Sequence, residues 1–210
     1  SNVYSFPQIC SNMSYLFSFF VLFLCVFVII SVSNEFSFKT NKQHIIDGLT
    51  RLEFLHAKVL LVVGISVFAV FLLVLNGLLF GFWNGGGNPM PNSERILYAL
   101  VYTVNYVSFS AFLAFFVRRS GLSIILLFAY FLLESILSGF INFQFNTQLG
   151  NLLPLQCSDE LLPLPAMKSI GNLTGSTKPD LPTYGFVTAS LVYIGIYYTI
   201  LRWRLLTSDI

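Results

Sequence analysis

Five runs of about 20 nearly uncharged, mostly apolar residues limit what this sequence can fold into. Each run is long enough to cross a bilayer as a helix, and none alternates apolar and polar residues as a transmembrane β-strand does. Charged residues make up only 10% of the 210 positions, too few to cover a soluble globule of this size. We therefore expect an all-α, polytopic membrane helix bundle. The predicted spans are Ser14–Val32, Val59–Phe82, Ile96–Val117, Leu122–Phe143 and Tyr184–Leu201.

Basic residues are distributed unequally between the two sets of connecting segments. Segment 33–58, the hinge at 118–119 and the tail after residue 201 carry eight Lys and Arg, against three on the other side. The positive-inside rule assigns the richer side to the cytoplasm. We therefore expect the chain in the cell inner (plasma) membrane, with its N-terminus outside and its C-terminus in the cytoplasm. Because no basic region precedes the first run, it is expected to be a mature span and not a signal peptide.

The two predicted outer loops, residues 83–95 and 144–183, are rich in glycine and proline. These residues favour turns, so we expect loops there, with room for a short helix but no compact domain. Cys25 is expected to be a small buried hydrophobic residue. A disulfide between Cys10 and Cys157, both placed outside the membrane, stays open because sequence does not show their proximity.

The predicted cytoplasmic link, residues 33–58, has apolar residues at roughly helical spacing with charged residues between them. This pattern predicts an amphipathic helix, bent or interrupted at Gly48. Such a helix could lie in the lipid interface, or it could place its apolar stripe in a groove of a cytoplasmic partner. Periodicity alone favours the lipid interface.

The sequence lacks the common motifs of nucleotide binding and hydrolysis. It contains no GxxxxGK[ST], HExxH, CxxC or GxSxG. We therefore expect no enzymatic activity in the chain itself, no cofactor and no metal site. The net charge of +2, without a basic run, argues against a nucleic-acid partner.

Glu134 is the only charged residue within a predicted span. A carboxylate at this depth costs about 3 kcal/mol by insertion scales, so it usually faces the bundle interior or a wet cavity. Two interpretations stay open: a group on a substrate or proton pathway, or a hydrogen-bonded carboxyl that holds two helices together. Asn105 and Ser108 of the third span are its candidate partners.

Two stretches within the predicted cytoplasmic link resemble ABC-2 type transporter permeases. Asn34-Glu35-Phe36-Ser37-Phe38-Lys39-Thr40 resembles the Glu-x-x-x-x-Thr region of that family. Residues 45–58, Ile-Ile-Asp-Gly-Leu-Thr-Arg-Leu-Glu-Phe-Leu-His-Ala-Lys, resemble the stretch that leads into the family's next span. Members usually have six spans and start in the cytoplasm, so the resemblance implies that one N-terminal span is missing from this sequence.

The resemblance implies a permease subunit of an ATP-binding cassette exporter. In that family two permease subunits, identical or different, enclose the pathway, and separate ATPase subunits bind from the cytoplasm. The family's first cytoplasmic link is a coupling helix that lies in a groove of the ATPase. Here it corresponds to about Lys39 to Glu53, which favours the partner groove over the lipid interface. The ATPase-coupling residues so implied are Glu35, Thr40, Ile45, Ile46, Leu49, Arg51 and Glu53.

A second interpretation is a non-transporting integral membrane scaffold or assembly factor. A secondary carrier or channel is a further one, but such carriers are expected to show inverted repeats or broken spans with polar groups at the midplane. Glu134, with Asn105 as a second pathway candidate, is the one feature that points that way.

Overall fold

A computed structural model describes residues 8–38, 40, 43, 48–83, 93–145, 148–162 and 182–207, with the side chains of the first helix described from Met13. This part of the chain is helical and contains no strand. Five of its helices are long and apolar enough to cross a membrane, which confirms the predicted helical membrane bundle. The long helices are α1 (Gln8–Ser37), α2 (Arg51–Trp83), α3 (Ser93–Val117), α4 (Ser120–Phe145) and α6 (Thr183–Thr207), and a 3-10 helix (Leu149–Leu152) and the short α5 (Gln156–Asp159) lie between α4 and α6.

Helix α2 begins at Arg51, eight residues before the predicted span. Residues 51–58, assigned to the link from sequence, are therefore the first two turns of a long helix. The charged side chains that marked them as link find partners: Arg51 bonds to a carbonyl of α6, and Lys58 pairs with Glu35 of α1. Charge at the end of a spanning helix is compatible with the helix when it is paired or reaches the interface.

Helix α3 is the centre of the bundle and contacts each of the other four long helices. Of the residues in its most apolar stretch, 61% are buried inside the bundle, whereas the share in α4 is 17%. Small side chains such as Ala99, Ala111 and Ala114 allow neighbouring helices to approach closely, as is usual in membrane bundles. The hydroxyl groups of Thr103 and Ser110 donate to carbonyls one turn earlier, so they are satisfied without water.

Three helix ends meet in one aromatic cluster. Phe36 of α1, Phe54 of α2 and Phe115 of α3 make mutual edge contacts with ring centroids 5.3–6.5 Å apart. Arg118 stacks over Phe36, with its guanidinium carbon 5.4 Å from the ring centroid. The basic residues of separate segments therefore share one end of the bundle. We call it the basic end, defined by Arg51, Lys58, Arg118, Arg119, Arg202 and Arg204; that it faces the cytoplasm stays a prediction.

The inserted segment, residues 148–162, contains a short helix, as the sequence analysis allowed, but it is buried in the bundle, which the expectation of an outer loop did not predict. Leu155, Cys157, Ser158 and Leu161 are buried, and the segment packs against α3, α4 and α6. Its contact on α3, Asn105, lies twelve residues from the start of that helix, which corresponds to a depth of about 18 Å along the axis. The segment therefore reaches roughly the middle of a hydrocarbon layer about 30 Å thick. Residues 163–181 lie outside the described part of the chain.

Candidate functional site

Asn105 and Glu134, the two polar residues singled out within the spans, both bind the inserted segment. The Asn105 side-chain amide donates to the carbonyl oxygen of Pro154 and to Ser158 Oγ, both at 2.7 Å. One carboxylate oxygen of Glu134 accepts the backbone N–H groups of Leu155, at 2.8 Å, and of Gln156, at 3.3 Å. The predicted partners of Glu134, Asn105 and Ser108, are not its partners in the structure.

These bonds satisfy backbone groups that the inserted segment brings into the bundle. The N–H groups that open α5 have no partner within the helix, and an unpaired backbone group at membrane depth costs several kcal/mol. Of the two interpretations of Glu134, the geometry therefore favours the structural one. One oxygen of each side chain, Glu134 Oε2 and Asn105 Oδ1, is buried without a hydrogen-bond partner among the described residues.

A second group of polar contacts holds the inserted segment against α4. Asn142 accepts the Gly150 N–H at 2.8 Å and donates to Asn151 at 2.6 Å. Ser138 donates to the same Asn151 oxygen at 3.2 Å, and the Asn151 amide donates to Glu160 at 2.8 Å. A methyl group at Gly150 would lie 2.4 Å from the Ser138 carbonyl oxygen, so the approach requires glycine.

Asp159, in α5 of the inserted segment, is a second buried carboxyl group near Glu134. Its Oδ1 accepts a hydrogen bond from the hydroxyl group of Tyr106 on α3 at 2.5 Å. Desolvation raises the pKa of Asp159 to about 7, the Tyr106 bond opposes this rise, and Glu134 and Glu160 add to it. Protonation of Asp159 therefore falls in the physiological pH range.

Cys157 is a free, buried thiol. Its sulfur lies 3.3 Å from Ser190 Oγ of α6, which in turn lies 3.0 Å from Ser158 Oγ. Burial raises the pKa of the Cys157 thiol, so it behaves as a small packing residue. The disulfide with Cys10 left open from sequence is not formed by Cys157; the Cys10 side chain lies outside the described residues.

The predicted coupling residues at the ends of the link bind neighbouring helices. Glu35 of α1 forms an ion pair with Lys58 of α2, and Thr40 Oγ1 donates to the Glu35 carbonyl at 3.2 Å. Arg51 Nη1 donates to the Leu205 carbonyl at the end of α6 at 3.1 Å. These contacts therefore join three of the five long helices, α1, α2 and α6, next to the link.

Of the remaining predicted coupling residues, one makes a local hydrogen bond, one is exposed, and two lie outside the described residues. Glu53 forms a capping box with Thr50: its carboxylate accepts the Thr50 N–H at 2.8 Å, and Thr50 Oγ1 accepts the Glu53 N–H at 3.3 Å. Leu49, 40% exposed, projects from the link. Ile45 and Ile46, and with them most of the predicted amphipathic helix, lie outside the described residues.

Sequence reasoning missed the residues of the inserted segment that complete the polar cluster. Asp159, Ser158 and Asn151 stood in a segment read as a loop because of its prolines. A signal was present, because six of the residues from 148 to 162 are leucines, more apolar surface than a solvated loop needs.

The helices and their contacts define a multi-pass helical membrane protein. The profile of the DUF2705 family, described as a protein of unknown function, matches residues 1–204, and the chain belongs to that family. Neither a curated protein nor a solved structure matches it.

Proposed function

We propose that this chain is the membrane-spanning permease subunit of an ATP-binding cassette transporter of the ABC-2 type. It would form the translocation pathway with a second permease subunit, identical or different, and a separate cytoplasmic ATPase would supply the energy. The observation that carries the proposal is that the spanning helices are joined beside the link, α1 to α2 by Glu35–Lys58 and α2 to α6 by Arg51–Leu205.

The attachment gives a mechanical route from a partner to the spans. A chain without a phosphate loop has to receive the energy of ATP hydrolysis through contact. A partner moves the spans only if its contacts with them differ between its nucleotide states. A shift of the link would act on α1, α2 and α6 together, because the two polar contacts join these helices.

Exposed apolar side chains at the link supply a docking surface of the kind that the proposal requires. Phe38 is 75% exposed and Leu49 is 40% exposed, one on each side of the link. Exposed apolar side chains beside a connecting segment are suited to a groove on a cytoplasmic partner.

Capture of the ATPase tests the proposal. The chain is co-expressed with candidate cytoplasmic ABC ATPases of the same organism, purified in detergent through a tag, and scored for the ATPase that co-purifies. We expect capture by the wild type, loss with the double variant Ile45→Asp and Leu49→Asp, and capture unchanged with Leu149→Asp. Leu149 is a matched control, since it is 55% exposed on the inserted segment, away from the basic end. Capture that survives the double variant would contradict the coupling assignment.

The alternative, a non-transporting scaffold or assembly factor, predicts another outcome of the same purification. A scaffold would copurify with membrane proteins and without an ATPase. If an ATPase did copurify with a scaffold, it would hydrolyse ATP at the same rate with and without the chain. A permease is expected to change that rate, because the two proteins share conformational states.

A further inference from the structure

An apolar cavity of about 370 Å³ lies between α2, α3 and α6. Two bonds join α2 and α6 toward the basic end: Arg51 to the Leu205 carbonyl, and His56 Nε2 to the Tyr198 hydroxyl at 3.2 Å. Helix α3 forms the floor of the cavity between them. The lining is aliphatic and aromatic with little polar surface, and its floor residues on α3 are Val104, Ser108, Ala111 and Phe115.

The cavity occupies the half of the bundle next to the basic end. Its lining on α6 extends from Leu191 to Leu201, a length of about 15 Å at the rise of an α-helix. That is half of a hydrocarbon layer about 30 Å thick. The cavity therefore spans one leaflet, from the membrane surface to near the midplane.

Cations stand where the cavity meets that surface. Lys58 is part of the lining, and His56 is exposed beside it. Arg202 follows Tyr198 by one turn on the same face of α6 and is exposed, without a hydrogen bond or ion pair to a described residue. Glu35 neutralises Lys58 in part, so Arg202 provides the remaining positive charge, and the exposed His56 ring lies beside it. Basic pockets between spanning helices are suited to anionic lipid head groups.

We propose that this cavity binds one acyl chain of an anionic phospholipid, with the lipid phosphate beside Arg202, His56 and Lys58. The proposal does not depend on the transport function. Charge favours a lipid over an apolar helix of another subunit, because the exposed Arg202 stands at the membrane-surface end of a cavity that is otherwise apolar.

Native mass spectrometry of the detergent-purified chain tests the proposal, with phosphatidylglycerol and phosphatidylcholine of equal chain length as probes. We expect phosphatidylglycerol adducts to exceed phosphatidylcholine adducts. Gly195→Leu, which places a side chain in the cavity, is expected to reduce the adducts of both lipids. Gly139→Leu on α4 is the matched control, since an added Cβ meets nothing within 4 Å at either glycine. Equal adducts in the two glycine variants would overturn the assignment of the lipid to this cavity.

A charge variant keeps the test informative if Gly195→Leu does not fold. Arg202→Gln alters an exposed side chain and leaves the cavity unchanged. We expect it to lower the phosphatidylglycerol adduct about fivefold, the effect of one basic residue near an anionic head group, and to lower the phosphatidylcholine adduct less, because its choline cation offsets the phosphate charge. An unchanged lipid preference would contradict the head-group contact. Dissociation of a dimer by Gly195→Leu, with lipid adducts unaltered, would assign the cavity to a second copy and overturn the proposal.

Discussion

Asn105 and Glu134 bind the two sides of one peptide group, the bond between Pro154 and Leu155. Asn105 donates to its carbonyl oxygen and Glu134 accepts its N–H, so two spanning helices fix one point of the inserted segment. Removing one partner of a hydrogen bond to a buried backbone group lowers stability strongly, because the remaining group then bonds to neither protein nor water.

Two substitutions of Glu134 distinguish its role as a hydrogen-bond acceptor from a role that depends on its negative charge. Glu134→Gln keeps an oxygen acceptor for the Leu155 and Gln156 N–H groups and is expected to stay within about 1 kcal/mol of the wild type. Glu134→Leu removes the acceptor and is expected to lower the free energy of unfolding in detergent by about 1–3 kcal/mol. Ser135→Leu, at an exposed position of the same helix, serves as the control. Equal losses in the Gln and Leu variants would point to the charge instead.

The shared peptide group predicts that Asn105 and Glu134 are energetically coupled. Once Glu134→Leu has released the segment, Asn105→Leu should cost less than it does alone. A double-mutant cycle on unfolding free energy is expected to give a coupling of about 0.5–3 kcal/mol. Strict additivity would show that the two side chains act independently of each other.

The raised pKa of Asp159 predicts a dependence of stability on pH. Its pKa is about 7 in the folded chain against an ordinary value of 3.8. Between these values the folded state holds the proton more tightly, so this group's contribution to stability is fully present below pH about 4 and is lost as pH rises to about 7. Asp159→Asn should remove this part of the pH profile of thermal unfolding. A profile unchanged by the substitution would contradict the prediction.

Gly150→Ala should displace the inserted segment from α4. Its Cβ would lie 2.4 Å from the Ser138 carbonyl oxygen and 2.9 Å from the Ser138 Cα, both backbone atoms that cannot rotate away. We expect a loss of about 1–3 kcal/mol in unfolding free energy, together with faster labelling of Cys157 by a thiol reagent. Gly139→Ala is the control, because its Cβ would meet no atom within 4 Å. Labelling of Cys157 as slow as in the control would argue against the close approach.

The capping box predicts how Thr50 and Glu53 act. Loss of either side chain should expose the first turn of α2 to hydrogen exchange, with a local cost of about 0.5–2 kcal/mol. Thr50→Ala and Glu53→Ala should therefore have equal effects on exchange and on ATPase capture. Weaker capture with Glu53→Ala alone would assign the carboxylate to the partner interface instead of the cap.

The spans were predictable because long apolar runs leave one solution in a bilayer, a helix with its own backbone bonds satisfied. The residues at which the helices begin and end were less predictable. The start of α2 was placed at Val59 because Arg51 and Lys58 are charged, and their partners, Leu205 and Glu35, are remote in sequence. The inserted segment was missed for the same reason: its stability comes from Asn105, Glu134 and Ser190 on three different helices, and prolines in sequence describe only local preference. Glu134 itself was recognisable, since a carboxylate in a span requires an interior partner.

The junction of α2 and α6 at the basic end has a mechanical consequence. Arg51 and His56, the residues of α2 that bond to α6, lie within its first two turns, while the helix continues to Trp83. Over 33 residues, the helix is a rod of about 50 Å. A rotation of about 5° about those two bonds therefore displaces its far end by roughly 4 Å. A small tilt of α2 imposed near the link therefore changes the distance between α2 and its neighbouring helices at the opposite membrane surface.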